Sequence, residues 1–138
     1  MPSPRLTSLR LPSDHESVHE AVRVAEREGA AAGLSPDDLE RIGIVVSEMV
    51  ANAIEHGNAE HPEARVALQI SQSDRGLTIC VQDAGGGIAM DAIRRARLPE
   101  DLYATGGRGL FLIRELSDGV ESTPRGLCVQ IVARASTE

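Results

Sequence analysis

Residues 45–58 read VVSEMVANAIEHGN. Apolar side chains recur here at steps of three and four, and the pattern reaches back through Ile42 and Leu39, which predicts one amphipathic helix. Ser35 is its expected cap and Pro36 its first position. Leu39, Ile42, Val46, Met49, Val50 and Ala53 share a buried stripe, and Gly57 is the expected stop. Glu48, Asn52 and His56 stand four residues apart on an edge beside that stripe. A helix buried along one face needs another layer to lie on, which the rest of the chain must supply.

The flanking segments do so. Residues 5–11, RLTSLRL, alternate like a strand. Ser13 offers a helix cap with Glu16 as its capping-box partner. The helix that follows is expected to reach about Ala32, with Val18, Ala21, Val22 and Ala25 inward and Gly33 at its end. ARVALQIS and LTICVQD alternate around the turn SDRG and predict a hairpin. MDAIRRARL predicts a short helix opening at Asp91, residues 98–108 a loop, GLFLIREL a helix, and GVEST-PRG-LCVQIVA a second hairpin. The order β-α-α-β-β-α-α-β-β predicts an α+β two-layer sandwich, an antiparallel or mixed sheet with helices on one face. Residues 1–138 are expected to form one domain.

Composition narrows the function. With one Phe, one Tyr and no Trp, the chain has almost no stacking platform for single-stranded nucleic acid. Its net charge of −7 repels phosphate backbones, so no direct nucleic-acid partner is expected. No stretch approaches the roughly 20 apolar residues that span a bilayer, and MPSPRLTSLRLPSD lacks the apolar core of a leader. Cys80 and Cys128 are too few for a disulfide framework and read as small core hydrophobes in a reducing cytoplasm.

Two glycine clusters then give the Glu48–Asn52 edge a context. In QDAGGGI, Asp83 ends a strand and three glycines follow, more than a turn requires. Missing Cβ atoms let a flat ligand approach the backbone. A carboxylate at the rim accepts a hydrogen bond from an exocyclic amine, which adenine has and guanine lacks at that position. In TGGRGLFLIREL, Gly106, Gly107 and Gly109 precede a helix whose free amides can cradle phosphate, with Arg108 adding positive charge.

In this order and spacing, ExxxNAxxH, DxGxG and GxGL resemble the three nucleotide boxes of the gyrase–Hsp90–histidine kinase–MutL (GHKL) ATPases. The resemblance covers roughly residues 35–134. The short stand-alone form is similar to the bacterial anti-sigma serine-protein kinases of the RsbW type. That resemblance implies ATP and Mg²⁺ as cofactors, phosphorylation of a serine on an anti-anti-sigma (STAS) partner, and sequestration of a sigma factor by a cytoplasmic homodimer. Residues 5–30 are the expected dimer contact. Carried over, Asn52 would hold Mg²⁺ against the phosphates and Glu48 would take the proton of the attacking serine. Asp83 would read adenine, Gly85 and Gly87 would admit it, and Gly107, Arg108 and Gly109 would meet phosphate. His56 belongs to the motif and equally suits the last turn of a helix. The chain departs from the family at Ala104 and Thr105, where a basic residue often stands, and at Leu127 and Cys128, where threonines are common.

Two other readings compete. A non-catalytic ATP-sensing module of the same fold would bind nucleotide and partners without phosphotransfer, and could dispense with Glu48. His15-Glu16-Ser17-Val18-His19 matches the zinc-protease pattern H-E-x-x-H. It sits in the first turn of a helix with no third ligand at protease-like spacing, so it is set aside.

Overall fold

The computed structural model describes residues 5–100 and 107–134, and the elements follow the expected order. β1 (Leu6–Leu11) leads into α1 (Glu16–Ala31) and α2 (Pro36–Asn52), which a π-helical turn, Ala53–Gly57, prolongs. β2 (Val66–Ser73) and β3 (Gly76–Gln82) form the first hairpin. α3 (Met90–Arg95) and α4 (Gly109–Leu116) follow, then the hairpin of β4 (Gly119–Thr123) and β5 (Gly126–Val132). The five strands pair antiparallel throughout in the order β1-β2-β3-β5-β4. The expectation of an antiparallel or mixed sheet thus resolves to antiparallel.

Strand alternation decides which face the helices cover. Leu68 and Ile70 of β2, Leu77, Ile79 and Val81 of β3, and Leu127, Val129 and Ile131 of β5 are buried. They pack with Ile42, Val45, Val46, Met49 and Val50 of α2 in one aliphatic core. The opposite face carries Ala67, Gln69, Ser71, Thr78, Gln82 and Gln130, all exposed or half-buried, so no second helical layer is needed there.

Four expectations change. The cysteines are not core residues: Cys80 and Cys128 are register partners on the open face of β3 and β5 and form a disulfide. The alternation that sends Ile79 and Val81 inward sends Cys80 outward, and the same parity holds for Cys128 between Leu127 and Val129. Ser13 does not cap α1. Asp14 Oδ1 accepts from the Ser17 amide at 3.1 Å, while the Ser13 hydroxyl turns away and donates to the Ala64 carbonyl at 2.6 Å. The buried side of α1 is Ser17, Ala21, Val24, Ala25, Glu28 and Gly29, leaving Val18 and Val22 half-buried. α3 opens at Met90, one residue earlier than expected. Ser35 does cap α2, accepting from the Asp38 amide at 3.2 Å, and Gly33 at φ 83° ends the turn after α1.

One buried ionic group ties the layers together. Arg41 of α2 donates to Asp38 at 2.8 Å, to the Leu116 carbonyl at 2.9 Å and to the Val132 carbonyl at 3.0 Å, with Asp118 at 3.3 Å. Burial works to raise the Asp38 pKa, but the Arg41 hydrogen bond, the Arg134 amide and Ser35 together bring it below the ordinary carboxylate value. This network fixes the end of α4 and the end of β5 on α2.

Candidate active site

A cleft of about 580 Å³ opens between the exposed edge of α2, α3 and the start of α4. Glu48, Asn52 and His56 line one wall, and Gly107, Arg108 and Gly109 line another. Two of the three sequence clusters, far apart along the chain, therefore meet in space. Glu55 and Arg95 also line the cleft and were not anticipated. Arg95 pairs with Asp91 one turn back at 3.2 Å. Gly106, Ala104 and Thr105 lie outside the described residues.

Gly109 opens α4 directly against the Glu48 side chain of α2. A Cβ at that position would come within 2.8 Å of Glu48 Oε2. The first amides of α4 have no intrahelical partners and so remain donors at the mouth of the cleft. Arg114 of α4 donates to the carbonyls of Ile93 and Arg94 at 2.9 and 2.8 Å, which holds the end of α3 in place. Burial raises the pKa of Glu48, the Arg108 charge lowers it and Glu55 raises it, with an upward balance. Glu48 is thus a better proton acceptor than an ordinary surface carboxylate once ionised.

Glu48 also lines a second cleft, a groove of about 640 Å³ between α1 and α2. Val18, Val22 and Ile44 supply its apolar floor, and His19, Arg23 and Glu26 its polar rim. One carboxylate stands on the wall shared by both clefts.

Asp83, Gly85 and Gly87 do not line the 580 Å³ cleft. They form a separate loop beside the π-helical turn. Gly57 has no side chain, and any Cβ there would overlap the Asp83 carboxylate. Asp83 Oδ1 accepts from the Gly85 amide at 2.7 Å, and the Asp83 amide donates to the Arg125 carbonyl at 2.9 Å. Burial raises its pKa, and the Gly85 amide and the Arg125 charge oppose the rise without cancelling it. The glycines answer to the chain itself as well as to any ligand. A Cβ on Gly85 would lie 2.9 Å from the Gly57 carbonyl, and one on Gly87, at φ 81°, would lie 2.6 Å from that of Thr123.

For a divalent cation, Asn52 offers one amide oxygen at the cleft. Among the described residues no three His, Cys, Asp or Glu side chains cluster as a metal site. One amide oxygen would suit Mg²⁺ only if the ion came with phosphate oxygens, since Mg²⁺ favours oxygen ligands and is usually held by few protein groups.

Residues 11–133 match the family of the histidine kinase-like ATPase domain. The chain belongs to the histidine kinase-like ATPase family, in its RsbW type. It is 32% identical over 119 residues to the serine-protein kinase RsbW of Staphylococcus epidermidis, covering 81% of this chain and 75% of that one. Over 96 residues it is 36% identical to the serine-protein kinase RsbW of Halalkalibacterium halodurans, covering 64% and 57% of the two chains. The anti-sigma F factor of Bacillus subtilis is 33% identical over 96 residues, covering 64% and 63%. Glu48 and Asn52 lie on α2, Asp83 follows β3, Gly107 precedes α4 and Gly109 is its first residue.

Proposed function

We propose that the protein is an ATP-dependent serine-protein kinase and anti-sigma factor. It phosphorylates a serine on an anti-anti-sigma STAS partner and sequesters a sigma factor in a partner-switching system. The observation that carries this reading is the position of Glu48 on the wall between two clefts. The phosphates of ATP occupy the cleft of α2, α3 and α4, the base reaches the neighbouring Asp83 loop, and the partner presents its serine from the α1–α2 groove. Glu48 accepts the hydroxyl proton as the serine oxygen attacks the γ-phosphorus, and ADP leaves with the electron pair of the broken bond. Burial raises the Glu48 pKa, which favours proton acceptance, and the ionised form predominates above that pKa.

The other residues hold and orient. Asn52 contributes an oxygen ligand to Mg²⁺, which on binding with ATP supplies charge neutralisation to the phosphates. Gly107, Arg108 and Gly109 meet phosphate, where Arg108 and Arg95 add positive charge. Asp83 accepts from the adenine amine, and Gly85 and Gly87 keep that loop close to the base. α1 and β1 supply the contact of a homodimer, since β1 is an outer strand with Leu6 exposed. No helix among the described residues is long and apolar enough to cross a membrane, and the setting we infer is the cytoplasm. There the Cys80–Cys128 pair meets a reducing pool.

Incubation of the protein with Mg²⁺, ATP and each STAS protein of its host, read by intact mass, tests the proposal. One added phosphate on a serine of one such partner is expected. If none of them gains a phosphate, the kinase reading is wrong and a nucleotide-sensing module takes its place.

A further inference from the structure

Asn58 follows the π-helical turn and is 1% exposed, yet it is polar and no motif includes it. Its side chain is fully engaged. Oδ1 accepts from the Ala84 amide at 2.7 Å. Nδ2 donates to Ser13 Oγ at 2.9 Å and approaches the carbonyls of Ala64 and Arg65 at 3.4 and 3.5 Å. Ser13 Oγ passes the chain on by donating to the same Ala64 carbonyl. The amide has one orientation only, because the two carbonyls can accept but not donate.

Ala84 is the residue directly after Asp83. Its amide is held by Asn58, and its carbonyl accepts from Arg125 at 3.2 Å. With Gly57 packed beneath the Asp83 carboxylate, the π-helical turn sets that group from two adjacent positions. We propose that Asn58 is a positioning residue for adenine selectivity, holding the Ala84 peptide so that Asp83 presents its carboxylate to the base. The inference rests on the nucleotide reading above. It also gives Ser13 a purpose: freed from capping α1, its hydroxyl accepts from the Asn58 amide and helps orient it.

A buried amide hydrogen left without its acceptor loosens the loop. The test is calorimetry of the wild type and Asn58→Ala with ADP, ATP, GTP and Mg²⁺-tripolyphosphate, each well below the variant's melting temperature. Asn58→Ala should weaken ADP binding roughly five- to thirtyfold, the worth of one buried hydrogen bond. It should narrow the preference for ATP over GTP and leave tripolyphosphate binding within about twofold, since the phosphate contacts lie elsewhere. ADP affinity within twofold of wild type overturns the inference, as does an equal loss of ADP and tripolyphosphate. If the wild type binds no adenine nucleotide, the functional reading fails and takes this one with it. A variant that does not fold hands the decision to amide exchange in the wild type, where slow exchange at Ala84 supports the contact and exchange at the rate of an open loop overturns it.

Discussion

Gly57 and Asp83 fit together so closely that a methyl group on Gly57 would displace the carboxylate of Asp83. Gly57→Ala should therefore mimic Asp83→Asn without touching a charge. Both should weaken ATP binding by about 1.5–3 kcal/mol, the worth of a charge-assisted hydrogen bond. Titration calorimetry with ATP and GTP checks it. Full ATP affinity in Gly57→Ala would mean that Asp83 does not read the base from this seat.

Glu48 and Asn52 share an edge but should fail differently. Glu48→Gln should keep nucleotide affinity within a few-fold while phosphotransfer falls ~10²–10⁴-fold, the usual worth of a positioned base. Asn52→Ala should lose Mg²⁺-dependent ATP binding and activity together. Phosphotransfer undiminished in Glu48→Gln removes Glu48 from the chemistry.

The raised pKa of Glu48 makes two pH predictions with opposite benefits. As a base it works ionised, so phosphotransfer should fall on acidification at a higher pH than an unperturbed glutamate would set. For stability the sign reverses. A carboxylate whose folded pKa exceeds its unfolded one favours the fold below the unfolded value and loses that contribution as pH rises through the folded value. Glu48→Gln should thus melt higher than wild type at neutral pH, and the gain should vanish in acid. Calorimetric melts across pH 4–8, on the order of the range where carboxylates titrate, decide it.

Arg41 answers for the buried carboxylate of Asp38. Arg41→Ala leaves that charge without its partner and should cost about 3–5 kcal/mol, seen in denaturant melts. The lowered pKa of Asp38 stabilises the fold above its unfolded value, and this is lost as pH falls through the folded one. The wild type should show that acid limb and the variant should lack it.

Reduction of Cys80–Cys128 opens a link between residues 48 apart in sequence. Stability should fall by about 2–4 kcal/mol on the loop-closure argument. A Cys80→Ser/Cys128→Ser variant should melt like the reduced wild type, with nucleotide affinity retained. Equal melting of oxidised and reduced protein would show that the sheet's own pairing already fixes the two strands.

The element order was legible because each strand alternates and α2 carries a long apolar stripe ended by glycine. The Glu48–Asn52 edge and the Gly107–Gly109 cluster were legible as neighbours because motif order carries topology. What escaped notice depends on parity and on distant partners. The cysteines looked apolar by type, yet alternation places Cys80 opposite in sense to Ile79. Ser13 satisfied a local capping pattern, and a carbonyl 51 residues away claimed it instead. Asn58 and Arg41 belong to no local pattern that marks them as buried, yet both are. Only the assembled fold brings Asp118 and the Val132 carbonyl to Arg41.

The π-helical turn has one more consequence. The Asn58 amide reaches back five residues to the Ala53 carbonyl, at 2.8 Å, rather than four. One residue is thereby accommodated without advancing the helix by its usual rotation of about 100°. α2 and its extension thus run in two phases: Glu48 and Asn52 aim into the cleft, and Gly57 and Asn58 aim at the loop of Asp83. A single-residue deletion within residues 53–57 would let the turn relax to α-helix and throw the second phase out of step with the first. Spacing between the cleft edge and the seat of the Asp83 loop is therefore counted in whole residues, and the chain can lose none of them here.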